Sequence, residues 1–258
     1  MSRFIQLGAQ QLNVAVIGAG ATDDVRRLQE DALQVLARSP LGRDVPREPI
    51  AALSKHACRL ERTRGDRLYE AGAPATMLFV VERGVIKLVR ALGRSREVII
   101  ELAGHGDMLG EAALSERALH DSSAVCVHQS TLFAIPRAEA LAFISSDALA
   151  VRNVLALLHR SLLRAHRRVE DLSVFGVRQR MARFLVQLGD WTGNLERGRL
   201  VVSLALSRRE LAALTGTTME TAIRVMSGLR DQGLVTPARR GAVVLDRAAL
   251  ELVAGGDL

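Results

Sequence analysis

Between Val151 and Leu172 apolar residues return at alternating steps of four and three: Val151, Leu155, Leu158, Leu162, Ala165, Val169 and Leu172. That spacing is the a/d seam of a heptad held for about three repeats, and it predicts a long helix that pairs with a second copy of itself. Arg160, Arg164, Arg167 and Arg168 lie outside the seam. A second apolar set, Val154, Leu157 and Leu163, is expected to face the chain's own upstream domain. A single amphipathic helix on one core is the plainer alternative. Ser145, Ser146 and Asp147 offer N-caps.

Upstream, from about residue 58 to 136, the pattern changes to short β-branched and apolar runs: Met77–Val81, Val85–Arg90, Glu97–Leu102 and Ala124–Ile135. Gly65, Gly72, Gly84, Gly93, Gly104, Gly106 and Gly110 punctuate them, as turns between short strands would. Such spacing predicts a compact antiparallel barrel or sandwich. Earlier still come an apolar stretch, Leu12–Gly20, and a polar helical pattern from Asp23 to Arg38. A breaker-rich passage follows, from Ser39-Pro40-Leu41-Gly42 through Pro46 and Pro49. Asn13–Gly20 looks like a strand and glycines opening a dinucleotide-binding fold. The third glycine would fall at Asp23, however, and no βαβ unit follows, so a flexible or surface-packed arm is the better reading.

Beyond the long helix, Phe175-Gly176-Val177 reads as a joint, with Ser173–Gly176 as a hinge. Met181, Phe184, Leu185 and Leu188 then form one helical face. Ser207 stands three before Glu210, a capping box that starts a helix with Leu211 and Leu214 on its apolar side. Gly216 permits a tight turn. Thr217 stands three before Glu220, a second capping box, and Ala222, Val225, Met226 and Leu229 give the next helix its apolar side. Glu220, Thr221 and Arg224 fall opposite, near the N-terminus, where a recognition helix meets base edges. Gly233 suits a helix stop. A hairpin over Leu234–Leu245, with Arg239-Arg240-Gly241 at its tip, reads as a basic wing.

Composition narrows the partner. Net charge is +7, almost all of the basic residues are arginine, and Lys55 and Lys87 are the only lysines. A positive balance suits a polyanion, although arginine-rich composition also follows from base usage in a genome. No apolar run approaches the roughly 20 residues a membrane span needs, and Met1–Gln11 lacks a secretory pattern. A cytoplasmic protein with no membrane partner is therefore expected. Cys58 and Cys126 are too few for a disulfide scaffold or a four-cysteine metal site and read as plain buried thiols.

Over about residues 50–258 the chain resembles the Crp-Fnr family of bacterial regulators. The resemblance rests on the glycine-spaced strands ending in Gly106-Asp107-Met108-Leu109-Gly110-Glu111, the long helix, and the helix-turn-helix with its wing. It implies an α+β chain with an antiparallel β-roll of the cyclic-nucleotide-binding type, a dimerisation helix and a C-terminal winged helix-turn-helix. The corresponding divisions are 1–48 for an N-terminal extension, 49–145, 146–174 and 175–258. It further implies a homodimeric transcription regulator on an inverted repeat of double-stranded DNA, with RNA polymerase as a partner.

The family's recognition helix reads base pairs with a glutamate and, four residues on, an arginine, which match Glu220 and Arg224. Arginine pairs bidentately with guanine and glutamate accepts from cytosine N4. Met219 occupies a position where nucleotide-dependent members carry another arginine, and Met-Glu-Thr is more similar to the Fnr branch. Ser207, Arg209, Thr218 and Thr221 stand at positions similar to the family's phosphate contacts, and Arg208 with Arg239 and Arg240 of the basic wing is expected to reach phosphates too.

In nucleotide-binding members, Gly110-Glu111 would hold the ribose, and an arginine followed by serine or threonine would hold the cyclic phosphate. Here Ser122 stands in the arginine's place, Ser123 matches, and Asp121 adds negative charge. Ala165-His166 replaces a Thr-Ser pair that touches adenine. The resemblance therefore implies a sensor that does not use cyclic AMP, no resident cofactor and an unidentified effector. A cyclic-nucleotide- or haem-responsive activator is the alternative. The extension has no cysteine to hold an iron-sulfur cluster, and the six histidines, His56, His105, His120, His128, His159 and His166, show no metal-ligand spacing. An enzyme is the remote competitor. No nucleophile elbow or P-loop supports one.

Overall fold

The computed structural model describes residues 22–92, 96–116, 118–196, 199–203, 206–237 and 242–255. They fall into two compact units that divide the long helix between Ser161 and Leu162, with residues 91–100 grouped in the second.

The described residues between Cys58 and Pro136 carry two four-stranded sheets. One has the order β1 (Cys58–Arg62), β8 (Ser130–Pro136), β3 (Met77–Arg83), β6 (Met108–Leu109). The other has the order β2 (Arg67–Tyr69), β7 (Ser123–Cys126), β4 (Ile86–Leu92), β5 (Arg96–Ala103). The β1/β8, β3/β8, β3/β6, β2/β7 and β4/β7 pairs are all antiparallel. Strand β3 shows why its sequence is an unbroken apolar run. Met77, Phe79 and Val81 enter a core between the sheets with Leu60, Ile86 and Leu132. The alternate residues Leu78 and Val80 face outward into a second core with Phe133 and Ile135 of β8. Both faces are covered, so period-two alternation is absent.

That second core is closed by helices. α1 (Thr22–Arg38), α2 (Arg47–Ser54), α3 (Arg137–Ser146) and the start of α4 (Ala148–Val174) lie on it. Leu33, Leu36, Leu41, Ile50 and Leu53 supply their buried side chains. Residues 22–54 are thus part of the domain's core, and the polar pattern from Asp23 is α1. The breaker-rich passage is turn from Pro40 to Asp44, and its last residues open α2. Pro46 is the N-cap of α2 and Pro49 sits in its first turn, where a missing N–H has no intrahelical partner to lose. Residues 1–21, including the glycine-bearing Asn13–Gly20, lie outside the described residues.

Three further expectations need correction. Ala124–Ile135 is two strands, β7 and β8, in different sheets. Ser145 and Ser146 end α3, and Asp147 alone caps α4, its Oδ1 accepting from the amides of Leu149 at 2.7 Å and Ala150 at 3.3 Å. Leu157 is buried and Val154 packs on the same core, but Leu163 is exposed. A helix turns about 100° per residue, so six residues beyond Leu157 is well off that face.

The second unit holds α5 (Val177–Thr192), β9 (Asn194–Glu196), β10 (Arg199–Ser203), α6 (Arg208–Leu214), α7 (Met219–Asp231), β11 (Val235–Pro237), β12 (Ala242–Leu245) and α8 (Arg247–Gly255). Met181, Phe184, Leu185 and Leu188 of α5 are all buried. The expected hairpin is β11/β12, and it continues through β10 to β9 as a four-stranded sheet.

Asn153 ties α4 to the chain entering the domain. Its buried amide donates to the carbonyls of Leu41 at 3.0 Å and Arg43 at 2.6 Å. Asn153→Leu leaves both carbonyls without this donor and should lower stability by about 1–3 kcal/mol. Equilibrium urea unfolding checks it, and an unchanged midpoint would show that water replaces the amide.

Candidate nucleic-acid interface and sensor site

The helix-turn-helix is α6, a short turn and α7. Ser207 caps α6 reciprocally: the Glu210 amide donates to Ser207 Oγ at 3.2 Å, and Glu210 Oε2 accepts from the Ser207 amide at 2.8 Å. The Ser207 hydroxyl also donates to Glu210 Oε2 at 2.7 Å, so its proton is committed to the cap. The second cap is one residue later than the spacing suggests. Thr218, not Thr217, is the N-cap of α7, and its Oγ1 accepts from the Thr221 amide at 3.3 Å. The Thr218 hydroxyl donates to Thr221 Oγ1 at 3.1 Å. Glu220 is thereby the second residue of the helix, exposed beside Met219 and Arg224. An N3 glutamate would instead have folded back onto the cap.

Gly216 turns the chain with φ +61°, and a Cβ there would come within 2.5 Å of Leu172 Cδ2. Both backbone angle and space call for glycine. Carbonyls near the turn are held by arginines. Arg180 donates to Thr215 O at 2.8 Å, Gly216 O at 3.4 Å and Phe175 O at 2.5 Å. Arg168 donates to Ala213 O at 3.3 Å. Arg183 pairs with Asp171 at 3.1 Å and lies 4.6 Å over the Phe175 ring. The joint after α4 is therefore cross-tied to the DNA-reading motif. Arg208 and Arg209 are exposed at the start of α6, whereas Arg239 and Arg240 lie outside the described residues.

In the first unit, Gly110 holds φ +83°, and a Cβ would meet Met77 O at 2.6 Å. The turn brings Glu111 to the start of a 3-10 segment. His120 is 5% exposed and stacks on Tyr69 at 3.6 Å between ring centroids. Burial lowers the His120 pKa from its ordinary 6.5 to about 4, against the opposite pull of Asp121. Tyr69 is raised well above the usual phenol range by burial, then by Glu111 and Asp121. Ser122 and Ser123 are buried. The Ser122 hydroxyl donates to Asp121 Oδ1 at 3.2 Å, and Ser123 Oγ accepts from the Ala71 amide at 2.9 Å. Arg90 reaches the same loop, donating to Asp121 Oδ2 at 3.0 Å and to its carbonyl at 3.2 Å. Asp121 thus has a cation contributed by β4, which a reading of residues 120–124 alone misses.

Residues 59–147 match the family model described as a cyclic nucleotide-binding domain, and residues 179–253 match the Crp-like helix-turn-helix domain. The Cyclic AMP receptor protein of Thermus thermophilus is 33% identical over 211 residues, covering 82% of this chain and 94% of the relative. The chain belongs to the Crp-Fnr family. The CRP-like cAMP-activated global transcriptional regulator of Mycobacterium tuberculosis is 26% identical over 217 residues, covering 84% and 97% of the two chains. A solved CRP-family transcriptional regulator from Thermus thermophilus superposes with a TM-score of 0.64 at 28% identity, covering 76% and 96%. This Crp-Fnr protein is a transcription regulator with a cyclic-nucleotide-binding-type sensor domain and a helix-turn-helix DNA-binding domain. No single helix among its described residues is long and apolar enough to cross a membrane.

Within this regulator, Glu111, Ser122 and Ser123 share the first unit, while Ala165 and His166 lie exposed on the part of α4 in the second. Cys126 is buried and its thiol is pushed up to about 11 by desolvation. Cys58, expected to be buried, is only half so. Its strand β1 lies at the edge of its sheet among the described residues.

The lowered His120 pKa makes a pH prediction. Between about pH 6.5 and 4 the unfolded histidine binds a proton that the folded one refuses. Its contribution is full above that window and is lost as pH falls through it. His120→Gln should reduce the pH dependence of unfolding by up to one proton, measured from denaturation midpoints across the window. An identical slope in both proteins would remove His120 from the account.

Proposed function

We propose that this regulator acts as a homodimer on an inverted repeat of double-stranded DNA, paired along α4. The observation that carries the reading is the state of the heptad seam in the single chain. Val151, Leu155, Leu158, Leu162, Val169 and Leu172 are 43–64% exposed, and Ala165 is exposed with them. A stripe of leucine and valine along one helix edge is costly to leave in water and is the surface a parallel partner helix covers. Symmetric pairing sets two recognition helices about one DNA turn apart, which calls for inverted half-sites. The cytoplasm is where DNA and RNA polymerase, the machinery a transcription regulator must influence, meet.

On each half-site Met219, Glu220 and Arg224 read bases, while Arg208 and Arg209 hold phosphates with Arg239 and Arg240 of the wing. Ser207 and Thr218 serve the phosphate face mainly by fixing the helix starts, since their hydroxyls donate within the caps, whereas Thr221 accepts there and has its own O–H to offer a phosphate. The domain divisions at about 48, 145 and 174 are kept as functional ones. Residues 22–48 nevertheless belong physically to the sensor core.

The sensor's polar groups support switching without cyclic AMP. A cyclic phosphate needs a cation, because burying its charge unpaired is costly. Ser122 is neutral, His120 is held uncharged, and Arg90 is engaged by Asp121. Recruiting Arg90 to a phosphate would leave Asp121 facing that anion without its partner.

Three outcomes test the reading. Arg224→Ala should lose discrimination at one guanine, at a cost of about 1–3 kcal/mol, while Arg209→Ala weakens all sequences alike. Binding to a library of half-site variants measures both, and an even loss in Arg224→Ala refutes its base-reading role. Leu158→Asp or Leu162→Asp should sediment as a monomer at micromolar concentration with specific DNA binding gone. A clean dimer would reassign the stripe. Calorimetric titration of nucleotide-free protein with cyclic AMP should give no heat, with gel shifts unchanged by the nucleotide. Micromolar binding that sharpens the shift would overturn the proposed independence.

A further inference from the structure

The recognition helix carries an apolar pair that its own core does not use. Ala222, Met226 and Leu229 point into the domain and are buried. Met219 and Ile223, one helical turn apart, are instead 50% and 37% exposed. At about 100° per residue, Ile223 falls between Met219 and the row formed by Ser227, Glu220 and Arg224, all of which are exposed. The apolar surface is therefore continuous with the polar face assigned to bases. Exposed Arg208 and Arg209 begin the preceding helix, a charge setting that suits a polyanion.

We propose that Ile223 is a further specificity-determining residue, reading a thymine 5-methyl group beside the base pairs met by Glu220 and Arg224. The proposal rests on the base-reading assignment of α7. In the major groove only thymine presents a methyl group, and an aliphatic side chain is complementary to it. Ile223 has no hydrogen-bonding atom, so its selectivity is one of shape and desolvation. Cytosine offers hydrogen at the same ring position and fills less of the contact. The β-branched side chain is stiff at χ1, which keeps its methyl groups in place on the helix surface. Isoleucine is a weaker helix former than alanine, so local propensity does not explain an exposed isoleucine here.

The test uses the full-length protein and the duplex it binds best from a randomised library. Each thymine of the half-site is replaced in turn by deoxyuridine, which removes the methyl group and leaves every hydrogen-bonding atom. Fluorescence anisotropy then reads the affinity. At one thymine the wild-type protein should bind about fourfold more weakly after replacement, the loss corresponding to one buried methyl. Ile223→Ala should bind the thymine and uracil duplexes equally at that position while keeping its guanine preference. The substitution is on an exposed helical position and favours helix, so folding is retained.

A wild-type protein indifferent to uracil at every thymine overturns the proposal. So does an unchanged uracil penalty in Ile223→Ala, which would mean that the exposed pair covers something other than DNA. Arg224→Ala separates this from the assignment beneath it. Undiminished guanine preference there sinks the role of Arg224, and the uracil scan still decides Ile223.

Discussion

Carbonyls at the end of a helix have no amide above them, and in this chain those around the helix-turn-helix are taken up by arginine. Arg180 spans Phe175 O, Thr215 O and Gly216 O, and Arg168 reaches Ala213 O. Hydrogen bonds from a guanidinium are stronger than neutral ones, and one planar group can serve several acceptors at fixed angles. The end of α4, the start of α5 and the turn before α7 are thereby held as one piece. Leu172 fills the space that a side chain at position 216 would need, adding a steric lock to the polar one. The second half of α4 is therefore joined to the turn that precedes the reading helix by both polar and apolar contacts.

The first unit solves a different problem. Its central strands are apolar on both sides because one sheet face meets the other sheet and the opposite face meets helices. Such strands tolerate little polar substitution on either face. At residues 120–123 the polar groups find partners nearby: His120 stacks on Tyr69, Asp121 pairs with Arg90, Ser122 donates to Asp121 and Ser123 accepts from the Ala71 amide.

How much of this was legible in the sequence follows from the physics of each element. The a/d spacing of α4, the apolar side of α5 and the Ser207–Glu210 box are local patterns, and the structure carries them as written. Strands β1 and β2 carry no clear local signal, because Cys58–Arg62 and Arg67–Tyr69 are short and interrupted by charge. α2 was hidden by Pro46 and Pro49, which read as breakers until a helix start is recognised between them. Leu163 is apolar yet lies off both the seam and the core face, so its residue type alone does not place it. The Arg90–Asp121 pair joins residues 31 apart, and no local spacing announces it. The candidate interface was clearer than the sensor because it is built from contiguous residues.

The start of α7 has one more implication. Because Thr218 rather than Thr217 closes the first turn, the orientation of every later side chain is counted from that residue. Inserting one residue inside α7, between Thr221 and Ala222, would roll the rest of the helix about its axis by about 100° relative to its capped start. Substitutions on the helix exchange one letter of its contact surface, whereas an insertion within it would present a different row of letters altogether. Divergence of target sequence by point replacement is thus available to this scaffold. Divergence by insertion would demand a new apolar side as well, since Ala222, Met226 and Leu229 would turn with it.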